Sequence, residues 1–234
     1  MESMREGVCS SQARRAGEFF SKLTASSLED FSAMEYPRSY AANVVLFRER
    51  DPVSALFVIH EGAVRLSINS IHGRRLSLRI AKKGEIIGLS SSLSGAPYDM
   101  TAETQNSSKI AIIDRREFQQ FLTRHPDAYL AVSEELGRQM AIACSQLRTL
   151  GLSSSAPQKL ARLLLEWSDN GQAMQSESRL HLSLTHEEIG SFIGSSRETV
   201  TRTLTNLKNR RLVALRGCTM TILNRAALEN YAHT

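Results

Sequence analysis

Between Pro126 and Leu150, six apolar residues recur at steps of three or four: Val132, Leu136, Met140, Ala143, Leu147 and Leu150. That is the spacing of a coiled-coil seam on one continuous helix. A helix of about 25 residues is about 37 Å long. Such a rod cannot leave its apolar stripe in water. It needs either its own core or the same helix of a second chain, and the regular seam favours a symmetric dimer. We read 126–152 as a dimerisation helix, and the chain must be built around it.

Ahead of the rod the apolar period is different. Phe19, Phe20, Leu23, Leu28 and Phe31 keep helical spacing, which predicts one or two short helices over 18–34, after a loose arm at 1–17. Beyond Pro37 the period falls to two. Val64, Leu66 and Ile68 alternate with Arg65, Ser67 and Asn69, and Leu76, Leu78 and Ile80 alternate with Ser77, Arg79 and Ala81. Alternate strand side chains face opposite ways, so each segment is expected to have one wet and one dry face. Ser70 to Gly73 reads as the hairpin turn between them. Further strands are expected near Val44–Phe47, Leu56–His60, Met100–Thr104 and Ile110–Ile113. Many short strands with regular turns make an all-β barrel or sandwich over 18–125.

After the rod, the run from Gly151 to Pro157 reads as a hinge, and Leu160, Leu163, Leu164 and Trp167 make one apolar stripe. Residues 184–204 then read as two short helices and a tight turn. Thr185 and Glu188 form a capping box for the first helix, and Ser195 and Glu198 one for the second. Gly194 sits at the turn, where a Cβ would clash. Val200, Leu204 and Leu207 make the buried edge of the second helix. At about 100° per residue, Arg197, Glu198, Thr201, Arg202 and Thr205 share an arc about 120° away from it. Arginine donates twice to guanine, and glutamate accepts from cytosine N4. Glu198 lies four residues before Arg202 and can orient it. Leu212–Leu215 and Met220–Leu223, joined through Arg216 and Gly217, read as a β-hairpin, and a helix-turn-helix with a hairpin is a winged helix. The net charge of +5 matters here for its distribution: Arg197 to Arg216 carries six basic residues and one acid, as expected of a patch that meets phosphate.

This order of parts resembles the Crp/Fnr family of bacterial transcription regulators over about 19–225. The most specific part runs from Ile189-Gly190 through Gly194-Ser195-Ser196-Arg197-Glu198-Thr199-Val200-Thr201-Arg202, which is similar to the recognition helix of the cyclic-AMP receptor protein branch. The resemblance implies an α+β fold: an N-terminal antiparallel β-roll (a double-stranded β-helix), a dimer helix and a C-terminal winged helix-turn-helix over 156–234. It implies that Arg197, Glu198 and Arg202 read bases in a palindrome with TGTGA-like half-sites. Thr185, His186, Ser196 and Thr199 would contact phosphate, and RNA polymerase would be a partner beside double-stranded DNA.

At the sensor end, Lys83-Gly84-Glu85-Ile86-Ile87-Gly88 resembles the start of the family's cyclic-nucleotide cassette. A nucleotide there needs a carboxylate for the ribose and an arginine for the phosphate. Those positions fall on Leu89 and on Met100 or Asp99, before Thr101, and Ser90–Tyr98 holds no basic residue. Gly84, Glu85, Gly88, Leu89, Met100, Thr101 and Cys144 are the candidate effector pocket, and cyclic AMP is not expected to fill it. Cys9, Cys144 and Cys218 are too scattered for an iron–sulfur cluster, and no histidine stands out as a haem ligand. No metal site is expected. Neither is catalysis: there is no Gly-x-Ser-x-Gly elbow, HExxH or phosphate-binding glycine loop. The N-terminus lacks the apolar stretch of a secretory signal, and no apolar run is long enough to span a membrane, which suggests a cytoplasmic protein. A ligand-binding module acting through a protein partner remains the alternative. It would not need the Arg197–Glu198–Arg202 face.

Overall fold

The computed structural model describes residues 17–70, 75–151, 155–168, 173–174, 179–181 and 184–233. Residues 1–16 of the loose arm, the tip of the expected hairpin at 71–74 and residues 152–154 of the hinge lie outside them. The chain forms two compact units: residues up to 142 of the long helix make the first, except that residues 75–77 group with the second, which runs from 143 onward.

The first unit begins with helices α1 (Glu18–Ser21) and α2 (Ala25–Ala33). Eight strands follow: β1 (Tyr36–Tyr40), β2 (Val45–Phe47), β3 (Ala55–Glu61), β4 (Ala63–Asn69), β5 (Arg75–Lys82), β6 (Ile86–Ile87), β7 (Thr101–Thr104) and β8 (Ser108–Asp114). They make two antiparallel four-stranded sheets, β1-β8-β3-β6 and β2-β7-β4-β5. Helix α3 (Leu89–Ser94) interrupts them between β6 and β7. This is the β-roll. The register sets Leu56 opposite Ile113 and Leu66 opposite Ala102. Pro37 is tolerated because β1 is an edge strand.

Alternation along β3 divides the core in two. Ala55, Phe57 and Ile59 face the space between the sheets with Phe47, Val64, Leu66 and Tyr98. Leu56 and Val58 face outward onto Phe19, Phe20, Phe31, Phe118 and Phe121. The first sheet is therefore apolar on both faces. The second sheet departs from expectation. Arg65 and Ser67, expected on a wet face, are 7% and 1% exposed, and Ser77 is 2% exposed. β4 is a central strand, and Arg65 lies directly across from Glu103, Nη2 to carboxylate 3.8 Å. An opposite charge in register is what lets a guanidinium be buried.

Helix α4 (Arg115–Arg124) begins at Asp114, whose carboxylate accepts from the Arg116 and Glu117 N–H groups. Helix α5 (Pro126–Gly151) is the long rod, 26 residues with proline in its first position. Its start is pinned to α2. Asp127 accepts from the Ser27 hydroxyl at 2.7 Å and the Thr24 N–H at 3.1 Å. Those bonds, the Ser27 hydroxyl first, hold the Asp127 carboxyl below the usual carboxylate range. The stability that follows is present above the unfolded value of about 3.9 and is lost as pH falls through the lower folded value. Asp127→Asn should therefore flatten the acid limb of an unfolding-versus-pH curve. An unchanged limb would show that the bond contributes nothing.

The seam splits between two fates. Val132 is 3% exposed and Leu136 packs beside it, both in this chain's own core. Val132 is thus not available to a second chain, contrary to its place in the expected dimer seam. Met140 and Leu147 are 65% and 68% exposed, Ala143 is exposed and Leu150 half-buried.

The second unit has helix α6 (Ala156–Trp167), capped by a reciprocal Ser155–Gln158 box, with Leu160, Leu163 and Leu164 buried and Trp167 edge-on to Phe192 at 5.4 Å. Then come β9 (Ala173–Met174), β10 (Arg179–His181), α7 (His186–Ile193), α8 (Arg197–Asn209), β11 (Val213–Arg216), β12 (Thr219–Ile222) and α9 (Arg225–His233). The strands pair in the order β11-β12-β10-β9. The hairpin expected from sequence is thus half of a larger wing sheet. Among the described residues, no helix is long and apolar enough to cross a membrane.

Candidate nucleic-acid interface

The α7–turn–α8 corner is built as its sequence suggests, with two corrections. Thr185 caps α7 in a full box: it accepts from the Glu188 N–H at 3.2 Å while its own N–H donates to Glu188 at 2.8 Å. Ile189, Phe192 and Ile193 are buried. Gly194 has φ 65°, the left-handed region, but a Cβ there would meet nothing within 4 Å. Its value is conformational and not the avoidance of a clash. The clash belongs to Gly190, where a Cβ would fall 2.6 Å from the Ser195 carbonyl oxygen. Ala for Gly inside a helix ordinarily gains about 1 kcal/mol. At Gly190 the sign should invert, to a loss of about 1–3 kcal/mol in chemical denaturation; a gain would refute the close approach.

The second correction concerns the start of α8. The cap is Ser196, accepting from the Thr199 N–H at 3.3 Å, and no Ser195–Glu198 box forms. The left-handed residue at 194 delays the helix by one position. Val200, Thr203, Leu204 and Leu207 are then buried, while Arg197, Glu198, Thr201, Arg202 and Thr205 are exposed along one side. The threonines are occupied. Thr201 donates to the Arg197 carbonyl at 2.9 Å and Thr205 to the Thr201 carbonyl at 2.9 Å. His186, at the head of α7, reaches across with Nδ1 2.8 Å from Thr201 Oγ1. That cross-brace carries no periodic signal and was missed in the sequence.

Among the described residues no ion pair joins Glu198 to Arg202, so the acid does not orient the arginine. The Glu198 carboxyl is held below the usual carboxylate range by its own backbone N–H, then by the Ser196 side chain, with the Arg197 charge adding. It is therefore a pure acceptor at neutral pH. Of the other basic residues in the patch, Lys208, Arg211 and Arg216 are exposed, and Arg210 leans over the Tyr231 ring of α9 at 5.3 Å. Cys218 is exposed on the wing turn.

The expected effector pocket does not assemble. Leu89 is 1% exposed and belongs to the outer core with the phenylalanines, whereas Met100 packs into the core between the sheets. The first sheet lies between those two clusters. Thr101 spends its hydroxyl on the Glu49 N–H at 3.0 Å. Tyr98 is buried, stacked on Phe47 at 4.0 Å, with its hydroxyl 2.6 Å from the Ala55 carbonyl. Cys144 is half-buried and falls in the second unit. Gly84 and Glu85 form the turn before β6, and Gly88 caps α3. Glu85 pairs with Arg79 and, at 3.5 Å, with Arg138 of α5. Arg138 forks onto Glu135 at 2.6 and 2.9 Å, and Gln139 bonds both Glu135 and the Ile86 carbonyl. These bonds to Glu135, ahead of its charge, hold Arg138 more firmly protonated than a free arginine. Four of these five residues lie outside the expected pocket. No group of three or more His, Cys, Asp or Glu side chains placed to hold a metal ion occurs among the described residues.

Residues 158–231 match the model of the Crp-like helix-turn-helix domain, and residues 37–125 match that of the cyclic nucleotide-binding domain. The cAMP-activated global transcriptional regulator CRP of Salmonella typhimurium is 24% identical over 85% of this chain and 95% of its own length. The nitrogen fixation regulation protein FixK of Bradyrhizobium diazoefficiens is 26% identical over 96% of this chain and 93% of its own. Among solved structures, FixK2 from Bradyrhizobium japonicum superposes with a TM-score of 0.74 at 22% identity, covering 84% of this chain and 96% of that one. The c-di-GMP responsive regulator CLP of Xanthomonas campestris does so with a TM-score of 0.73 at 23% identity, covering 86% and 100%.

Proposed function

The chain belongs to the Crp/Fnr family of DNA-binding transcription regulators, and from that premise we propose that it acts as a homodimer on a palindromic site with TGTGA-like half-sites. The observation that carries this is the exposed Arg197–Glu198–Arg202 face of α8, backed by the buried Val200–Leu204–Leu207 edge. Two guanidiniums and one ionised carboxylate on a rigid helix supply bidentate donors and an acceptor for base edges. An acid on a phosphate-seeking surface costs affinity, so its place there is best explained by reading a base. Thr185, His186, Ser196 and Thr199 lie at or beside the starts of α7 and α8, where backbone N–H groups and helix dipoles favour phosphate. Met140, Ala143 and Leu147 supply the partner-facing seam. Such a regulator would act on RNA polymerase, in the cytoplasm, and as a binding protein instead of an enzyme.

The effector, if one is used, is read as something other than a cyclic nucleotide, haem or an iron–sulfur cluster. Family membership alone leaves this open, since one relative is named for cAMP and a structural neighbour for c-di-GMP. A cyclic nucleotide held by the cassette needs a carboxylate and an arginine aimed at one pocket. Leu89 and Met100 carry no charge and lie in different cores. Glu85 is already claimed by Arg79 and Arg138. These residues do not fit that ligand. The test is selection from random duplexes by purified protein with nothing added. A palindrome with TGTGA-like halves is expected. Enrichment only with added cyclic AMP would overturn the effector reading. An unrelated or asymmetric site would overturn the recognition reading.

A further inference from the structure

The His186–Thr201 brace bears on how the interface meets phosphate. The Thr201 hydroxyl has one proton, and it points at the Arg197 carbonyl oxygen 2.9 Å away. To His186 it therefore offers a lone pair, and at 2.8 Å the bond is made by Nδ1–H. A neutral imidazole carries one proton only. With that proton on Nδ1, Nε2 is left as an acceptor, which a phosphate oxygen repels. The imidazolium donates from both nitrogens. We propose that His186 grips the DNA backbone only as the imidazolium, and that Thr201 is the positioning residue that denies the neutral ring a donor on Nε2, so that DNA affinity rises as pH falls through the imidazole range. This rests on the reading of the α7–α8 corner as the DNA face.

Among the described residues, no carboxylate pairs with the ring. On α7, Glu187 is exposed and Glu188 is bound to Thr185. On α8, Arg197 and Arg202 flank Thr201, and Glu198 is drawn to Ser196 and Arg197. On α6, which also packs on α7, Glu166 is taken by Ser145 and Thr149, Arg162 reaches the Ala232 carbonyl, and Lys159 is half-buried. Proton uptake then accompanies DNA binding, and linkage sets the size: up to about tenfold in affinity per pH unit for each protomer.

The experiment measures affinity for the selected palindrome at fixed ionic strength across pH, from about 5.5 to about 8.5. The full chain should bind more tightly at the acid end. His186→Arg, a permanent cation, should remove the slope, and Thr201→Val, which frees Nδ1 and allows the other tautomer, should shrink it by raising affinity at the alkaline end. The same slope in His186→Arg as in the parent would assign it to another group and overturn the proposal. So would specific binding with a flat profile, which leaves the DNA reading intact. Absence of specific binding at every pH would overturn both.

Discussion

Replacing Arg197 with alanine is expected to cost about 1–3 kcal/mol of specific binding per protomer, the range for a lost bidentate base contact. A dimer on a palindrome loses it twice, on the order of 2–6 kcal/mol, or roughly thirtyfold to more than ten-thousandfold. Binding to an unrelated duplex should change far less, because that affinity comes from summed phosphate charge. Lys208→Ala gives the contrasting pattern. Lys208 is exposed in the last turn of α8, and its loss should weaken all duplexes alike and lower the salt slope by about one per protomer. Glu198→Gln separates the carboxylate from its neighbours. Removing an acid should raise affinity for unrelated DNA while relaxing the preference for cytosine at one position of each half-site. Competition titrations against both duplexes decide the matter. If Arg197→Ala weakened both equally, Arg197 would be a phosphate contact and the recognition reading would lose its main support.

These substitutions are easy to choose because this corner was legible in the sequence. Its signals are local: a capping box three residues wide, a left-handed glycine and an apolar edge on a period of 3.6. What escaped was decided by a neighbour. Ser195 and Ser196 both look like caps, and only the backbone at Gly194 selects the second. The failed pocket has the same cause. Leu89 and Met100 stand near each other along the chain, but one faces the helices and the other the space between the sheets. The Arg79–Glu85–Arg138 pairing spans 53 residues from Glu85 to Arg138 and leaves no pattern to read. Burial of Arg65 depended on Glu103 arriving across the sheet. Helix α4 was missed for a poorer reason. Asp114, Glu117 and the Phe118–Phe121–Leu122 spacing announce a capped amphipathic helix. The short pieces β6, β9 and β10 lack the length for any period to show, and β1 is exposed along nearly its whole length, so it has no dry face to mark.

The second large effect is expected at Leu147. Its side chain is 68% exposed, and Met140, two turns earlier on the same stripe, is 65% exposed. Fully burying a leucine or methionine is worth about 1.5–3 kcal/mol, and a two-fold interface counts each side chain twice. Leu147→Asp removes that gain and places a carboxylate opposite its own copy. Light scattering should then report a particle of 26.0 kDa where the parent is expected to give twice that mass. Affinity for the palindrome should collapse toward that of a single half-site, although Arg197, Glu198 and Arg202 are untouched. Two controls fix the interpretation. Leu130→Asp alters a side chain 64% exposed on the same helix, but about 80–100° off the stripe, and should leave the dimer intact. Val132→Asp strikes a residue 3% exposed in the chain's own core and should lower the unfolding midpoint instead of the mass. Equal masses for Leu147→Asp and the parent would mean that the exposed half of the seam is covered by something other than a second copy. The palindrome would then have no two-fold protein to match it.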